Sequence, residues 1–252
     1  LNHTIALKNP TRILHPKRFG SGNNFTLNNS TLTLAVSAGN AQIQVDDTAA
    51  PTINSALALN DNLNIASSST GTLTVNGGIS GTARNITVNG TGTVDLNGVI
   101  ATTTGTLTKA GTSTLILGAA NSYTGATTVN EGILGLNAVG VLPSTSPLAL
   151  TPTSATSVAT LQMSGEFTHS LAASATAGSG TVTFGFSLAS TTGGVGFAAH
   201  STPLVVALGG TSSPTALTWG SGGFVGTGGV QNLAFSSTSA LSSVDFRNAI
   251  DL

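Results

Sequence analysis

Apolar and hydroxyl residues alternate in short bursts along the first half of the chain: Thr31-Leu32-Thr33-Leu34, Thr72-Leu73-Thr74-Val75, Thr93-Val94-Asp95-Leu96 and Thr114-Leu115-Ile116-Leu117. Alternation with a period of two marks a strand with one buried face. The bursts also recur at a fixed interval. One ladder of apolar positions reads Leu32, Ile53, Leu73, Val94, Leu115, and a second reads Ile43, Ile65, Ile86, Leu107, Val129. Steps within each ladder are 20 to 22 residues. A period in that range means repetition of one supersecondary unit. The expected architecture is all-β, a coil with two or more strands per turn and each turn stacked on the last. At this period the whole chain would make about a dozen turns, a rod about 55–60 Å long at the spacing of neighbouring strands. No window shows apolar spacing at 3.6 residues, so little or no helix is expected.

Turn residues divide the chain into four segments. Residues 1–24 carry four of the seven basic residues and two of the eight prolines, and read as an irregular N-terminal segment with one strand at Thr4-Ile5-Ala6-Leu7. From 25 to 137 strands alternate with turns at Asn76-Gly77-Gly78, Asn89-Gly90, Asn97-Gly98 and Gly111-Thr112, where Asn and Gly supply positive φ. Residues 138–170 hold Pro143, Pro147 and Pro152 and read as an irregular, loop-bearing region. Strand-like text resumes over 171–252, at Thr181–Phe184, Leu204–Leu208, Ala216–Trp219, Asn232–Phe235 and Val244–Phe246. Most phenylalanines and the single tryptophan fall in this half, which predicts wider turns. Gly193-Gly194, Gly209-Gly210 and Gly222-Gly223 read as tight corners.

Composition narrows the function classes. Only 6% of residues are charged, against roughly 25% in an ordinary domain. Short hydroxyl and amide side chains can instead line up in ladders on a stacked sheet without repulsion. Seven basic and eight acidic residues supply no phosphate-tracking surface, so nucleic acid is not an expected partner. No cysteine is present, which leaves neither a disulfide framework nor a thiolate metal site. No apolar run reaches the length that spans a bilayer, and the basic N-terminal residues precede no hydrophobic stretch of a signal peptide.

One segment has a specific likeness. Leu107-Thr108-Lys109-Ala110-Gly111-Thr112-Ser113-Thr114-Leu115-Ile116-Leu117, followed by Asn121-Ser122-Tyr123-Thr124-Gly125-Ala126-Thr127-Thr128-Val129-Asn130-Glu131-Gly132, resembles the autotransporter-associated β-strand repeat, also called the passenger-associated transport repeat. It departs at Ser113, where glycine is expected, and at Ile133, where threonine is usual. The segments Ala216–Val225 and Val244–Leu252 resemble less regular parts of long secreted bacterial proteins that carry the same repeat. The resemblance implies a right-handed parallel β-helix, exported to the outside or the surface of a bacterium. It carries no catalytic residues with it.

Other constellations add little chemistry. His3, His15, His169 and His200 lack the spacing of a zinc site, and Asp46-Asp47 reads as a solvated turn. Asp61, Asp95, Glu131 and Glu166 stand apart from one another, as do Arg84 and Lys109, so no carboxylate pair suited to polysaccharide cleavage is visible. Leu142-Pro143-Ser144-Thr145-Ser146 reads as a turn, and the sequons at Asn2, Asn24, Asn28, Asn29, Asn85 and Asn89 as products of a threonine-rich composition. Tyr123 and Trp219 read as core or corner residues rather than sugar platforms. No catalytic, cofactor-binding or metal-binding residue is assigned, and no cofactor is expected.

Asp251-Leu252 set before Asn2-His3-Thr4-Ile5 nearly restores the internal pattern of Asp95-Leu96-Asn97-Gly98-Val99-Ile100. This suggests that one copy continues into the next, covalently or as stacked subunits. The expected function is an extracellular structural β-helix stacking head to tail into a filament, stalk or surface layer. The alternative is an adhesin passenger presenting loops such as 138–170 to glycans or matrix, and a polysaccharide-degrading enzyme is the weakest reading.

Overall fold

The threonine-flanked apolar bursts become strands of two to five residues, and among the described residues the strands pair with one another in parallel. The computed structural model describes residues 3–7, 11–13, 17–19, 24–46, 48–138, 140–154, 156–172, 181–183, 193–219, 224 and 232–252. Among these there is no helix, and the strands wind as a β-solenoid whose regular part makes about six turns.

Each regular turn visits three sheets. Sheet A contains Phe25–Asn29, Thr52–Ile53, Leu73–Val75, Val94–Leu96, Thr114–Leu117 and Gly132–Leu136. Sheet B contains Leu32–Leu34, Leu57–Leu59, Ile79–Ser80 and Ile100–Ala101, and sheet C contains Ala41–Val45, Leu63–Ser67, Ile86–Gly90, Leu107–Lys109, Thr127–Val129 and Leu148–Leu150. The alternation sets the burial: Leu73, Val75, Val94, Leu96, Leu115 and Leu117 point inward and are buried, while Thr74, Asp95 and Ile116 point outward. The interior is therefore a narrow column of aliphatic side chains, one set per turn.

Leu73, Val94 and Leu115 stack in register as the first ladder predicts, and the column continues through Leu134, Leu161 and Phe197. The lower rungs of that ladder need correction. Ile53 pairs with Val75, not with Leu73. Leu32 belongs to sheet B, where it stacks on Leu57, Ile79 and Ile100. The second ladder slips too: Ile65 pairs with Val88 and Leu107 with Thr127. A slip of two residues keeps the same face inward, so spacing alone cannot detect it. The third sheet was hidden because its strands shrink to two or three residues.

The ends depart from expectation in size. The N-terminal segment holds three strands instead of one, His3–Leu7, Thr11–Ile13 and Lys17–Phe19, and each pairs with a different sheet. Beyond residue 150 the turns widen: Val158–Phe167 is ten residues long and Gly194–Val206 is thirteen. Wider turns consume more chain, and among the described residues the longest path through sheet A is ten strands deep instead of about a dozen, or about 45 Å at the spacing of parallel strands. The corner at Gly209-Gly210 has positive φ (88° and 122°), whereas Gly222-Gly223 lies outside the described residues.

Candidate functional site

The repeat-like segment concentrates buried polar chemistry. Lys109 alternates inward on its strand, in the column Ile65, Val88, Lys109, Val129, Leu150. Its side chain is fully buried. An ammonium in that position must be hydrogen-bonded, and Nζ donates to the carbonyls of Ala110 (2.9 Å), Gly111 (2.7 Å) and Glu131 (3.0 Å). Burial lowers its pKa to about 8, and the nearby Glu131 charge opposes the shift. Lys109 thus ties the turn that follows its own strand to the equivalent turn one level on.

Tyr123 is the second buried node. Its hydroxyl lies 2.7 Å from Thr127 Oγ1, which lies 3.1 Å from Ser146 Oγ. Ser146 donates its one proton to the Gly125 carbonyl at 2.7 Å. Thr127 therefore donates to Ser146, and Tyr123 donates to Thr127. Burial pushes the Tyr123 pKa up to about 12. The chain of hydroxyls satisfies Thr127, a polar residue standing in a column otherwise made of Ile86, Leu107, Leu148 and Val182.

Asn121 closes sheet B. That sheet ends at Ile100–Ala101, which would leave the Ile100 N–H without a neighbouring strand. The Asn121 carbonyl oxygen accepts that N–H at 2.7 Å, while its amide donates to the Val141 carbonyl at 3.0 Å. The Asn-Ser-Tyr-Thr-Gly run is therefore a corner that replaces a strand. Outside, a second set of amides forms a ladder: Asn54 donates to Asn28, Asn76 to Asn54 and Asn97 to Asn76, at 2.7 to 3.2 Å.

The remaining candidates stay apart. Among the described residues, no three His, Asp or Glu side chains gather into a metal-sized group. Asp46 accepts hydrogen bonds from Gln44 and Ser68, and Asp47 lies outside the described residues, as do the side chains of His3 and His15. Trp219 packs edge-on against Phe224 with ring centres 5.9 Å apart. One Asp95 carboxylate oxygen is buried with no hydrogen-bond partner, and burial raises the pKa of this group.

One cavity opens on the side of the rod, where the turn after Gly132–Leu136 meets the end of Val158–Phe167. Its volume is about 220 Å³. Leu136, Leu142, Met163 and Phe167 form a buried apolar floor, with Ser144, Glu166, Thr168 and His169 at the rim. His169 stacks on Phe167, ring centres 4.7 Å apart at 16°, and burial lowers its pKa. The sequence offered a loop over 138–170 but no hint of the cavity, because its two walls come from successive turns.

Residues 107–136 match the model of the passenger-associated-transport-repeat family. The match contains Lys109, Tyr123 and Thr127, three of the polar groups buried in the interior, together with the half-buried corner residue Asn121. No curated protein and no solved structure matches the chain.

Proposed function

We propose that this chain is a structural segment of a secreted, passenger-like β-solenoid, a rod that extends by further parallel turns into a filament, stalk or surface layer. The role is mechanical rather than catalytic. The column from Leu73 through Val94, Leu115, Leu134 and Leu161 to Phe197 carries this reading. Each turn presents to the next the same parallel edges and the same apolar plug, whatever its width. A heterologous contact of that kind grows without closing, whether the added turn belongs to the same chain or to another copy. The family match supports an exported passenger, and among the described residues no helix is long and apolar enough to cross a membrane.

Electron microscopy of the purified chain over a range of concentrations tests the proposal. Rods that lengthen in multiples of the single-copy length support it. Rods of one length at every concentration count against head-to-tail growth. A second reading, an adhesin that binds glycans or matrix along its side, draws support from the cavity beside residues 136–144. Binding on a glycan array that disappears on deletion of 138–158 would favour it.

A further inference from the structure

The strand Val158–Phe167 changes neighbours halfway along its length. Its first part lies between Gly132–Gly135 on one side and Gly194–Ala199 on the other. After a register shift between Met163 and Gly165, residues Gly165, Glu166 and Phe167 pair with Leu204, Val205 and Val206. Among the described residues, no strand pairs with them on the opposite edge. That edge borders the cavity.

The backbone directions are fixed by what the other edge does. Phe167 accepts the Ala207 N–H at 2.9 Å, and His169 accepts the Gly209 N–H at 3.3 Å. Successive residues of a parallel strand address opposite edges, so Glu166 and Thr168 turn their N–H and C=O groups toward the cavity. A free strand edge is a template for another strand. Strand addition gains affinity from such backbone groups and selectivity from pockets that take alternate side chains.

Side-chain chemistry narrows the occupant. The floor of Leu136, Leu142, Met163 and Phe167 is apolar and has room for one side chain of leucine size. Among the described residues of the lining, Glu166, exposed at the rim, is the only carboxylate, and there is no lysine or arginine. Burial disfavours the His169 cation. Phe167 faces inward and Glu166 outward, so the two features address adjacent residues of an added strand.

We propose that this edge takes up an extended peptide of a partner protein, with an apolar residue seated in the cavity and a neighbouring basic residue paired with Glu166. The proposal rests on the second reading above, that the side of the rod binds, and assigns that side a protein partner. It is independent of stacking, which uses the ends.

The test uses the full chain and the capped hexapeptide Thr-Thr-Leu-Lys-Thr-Thr, followed by calorimetry and by backbone amide shifts. Saturable binding that moves the Glu166 and Thr168 amides is expected. Exchanging the peptide's Leu for Ser, or its Lys for Glu, should weaken it about tenfold, the loss of one good contact. E166K should reverse the preference between the Lys and Glu peptides. T168P, which deletes an N–H aimed at the cavity, should abolish binding while T168A keeps it, with circular dichroism confirming that each variant is folded.

No saturable shift, or affinity indifferent to both T168P and E166K, overturns the proposal. Glycan binding without peptide binding also overturns it and leaves the second reading standing. Shifts at Glu166 and Thr168 that depend on protein concentration alone would make a second copy the occupant and overturn it as well.

Discussion

Replacing Lys109 with methionine keeps an unbranched side chain one atom shorter and removes its charge, which isolates the energetic consequence of an ammonium inside the solenoid. The folded pKa of about 8 lies below the ordinary lysine value of 10.5. Between those two values the unfolded chain holds a proton that the folded chain has released. Stability therefore rises with pH across that window. Below pH 8 both states are protonated and the full penalty of burial applies, roughly 3 kcal/mol for a shift of this size. From pH 7 to pH 10 the wild-type protein should gain roughly 2–3 kcal/mol from this group. With a urea slope near 2.5 kcal/mol per molar, the midpoint moves up by about 1 M. The Lys109→Met variant should show no such rise, and it leaves the carbonyls of Ala110, Gly111 and Glu131 without their shared donor. The assay is urea denaturation followed by circular dichroism at half-unit steps of pH from 7 to 10. Equal pH dependence in the two proteins would refute the assignment of a buried, hydrogen-bonded ammonium.

Three further substitutions probe the other parts of the architecture. Leu115→Ala opens a cavity between Val94 and Leu134 and should lower stability by about 2–5 kcal/mol, measured as a urea midpoint. Gly77→Ala should destabilise comparably to an overpacked core, about 1–3 kcal/mol, because its Cβ would collide with the Ser55 carbonyl one turn away. An unchanged midpoint there would mean that the turns separate more easily than their stacking implies. Tyr123→Phe removes the donor to Thr127 and should lose about 1–2 kcal/mol. In the wild type the raised Tyr123 pKa makes stability fall between pH 10 and pH 12, since only the unfolded chain ionises there. That fall should be absent from the variant, which lacks the chain's single tyrosine, in alkaline denaturation monitored by circular dichroism.

Gly77 also shows how a correct reading can carry the wrong reason. Turn chemistry predicts positive φ at the Asn-Gly corners and at Gly111-Thr112, and Gly90 and Gly111 adopt it, at 101° and 72°. Gly77 and Gly98 do not. They are glycines because the backbone of the preceding turn leaves no room for a side chain, a constraint between coils that no local rule contains. Lys109 is the parallel case among the site residues. Its place in an alternating Leu-Thr-Lys burst puts it on the inward face, yet its charge argues for solvent, and only the three carbonyls of two adjacent turns resolve the conflict.

The sequence by itself determined the kind of object this is. A period near 21 with two-residue alternation leaves stacked strands as the economical outcome, since each turn must bury its apolar face on the next. The same local pattern determined which side chains point inward, because side-chain direction along a strand has a period of two. Tertiary structure decided the rest: the pairing of Ile53 with Val75, the third sheet, the hydroxyl chain from Tyr123 to Gly125, and the free edge at Glu166 and Thr168. All of these depend on how far one winding is shifted against its neighbour. Shifts of two residues look alike from inside a single strand but bring different backbone and side-chain groups together across turns.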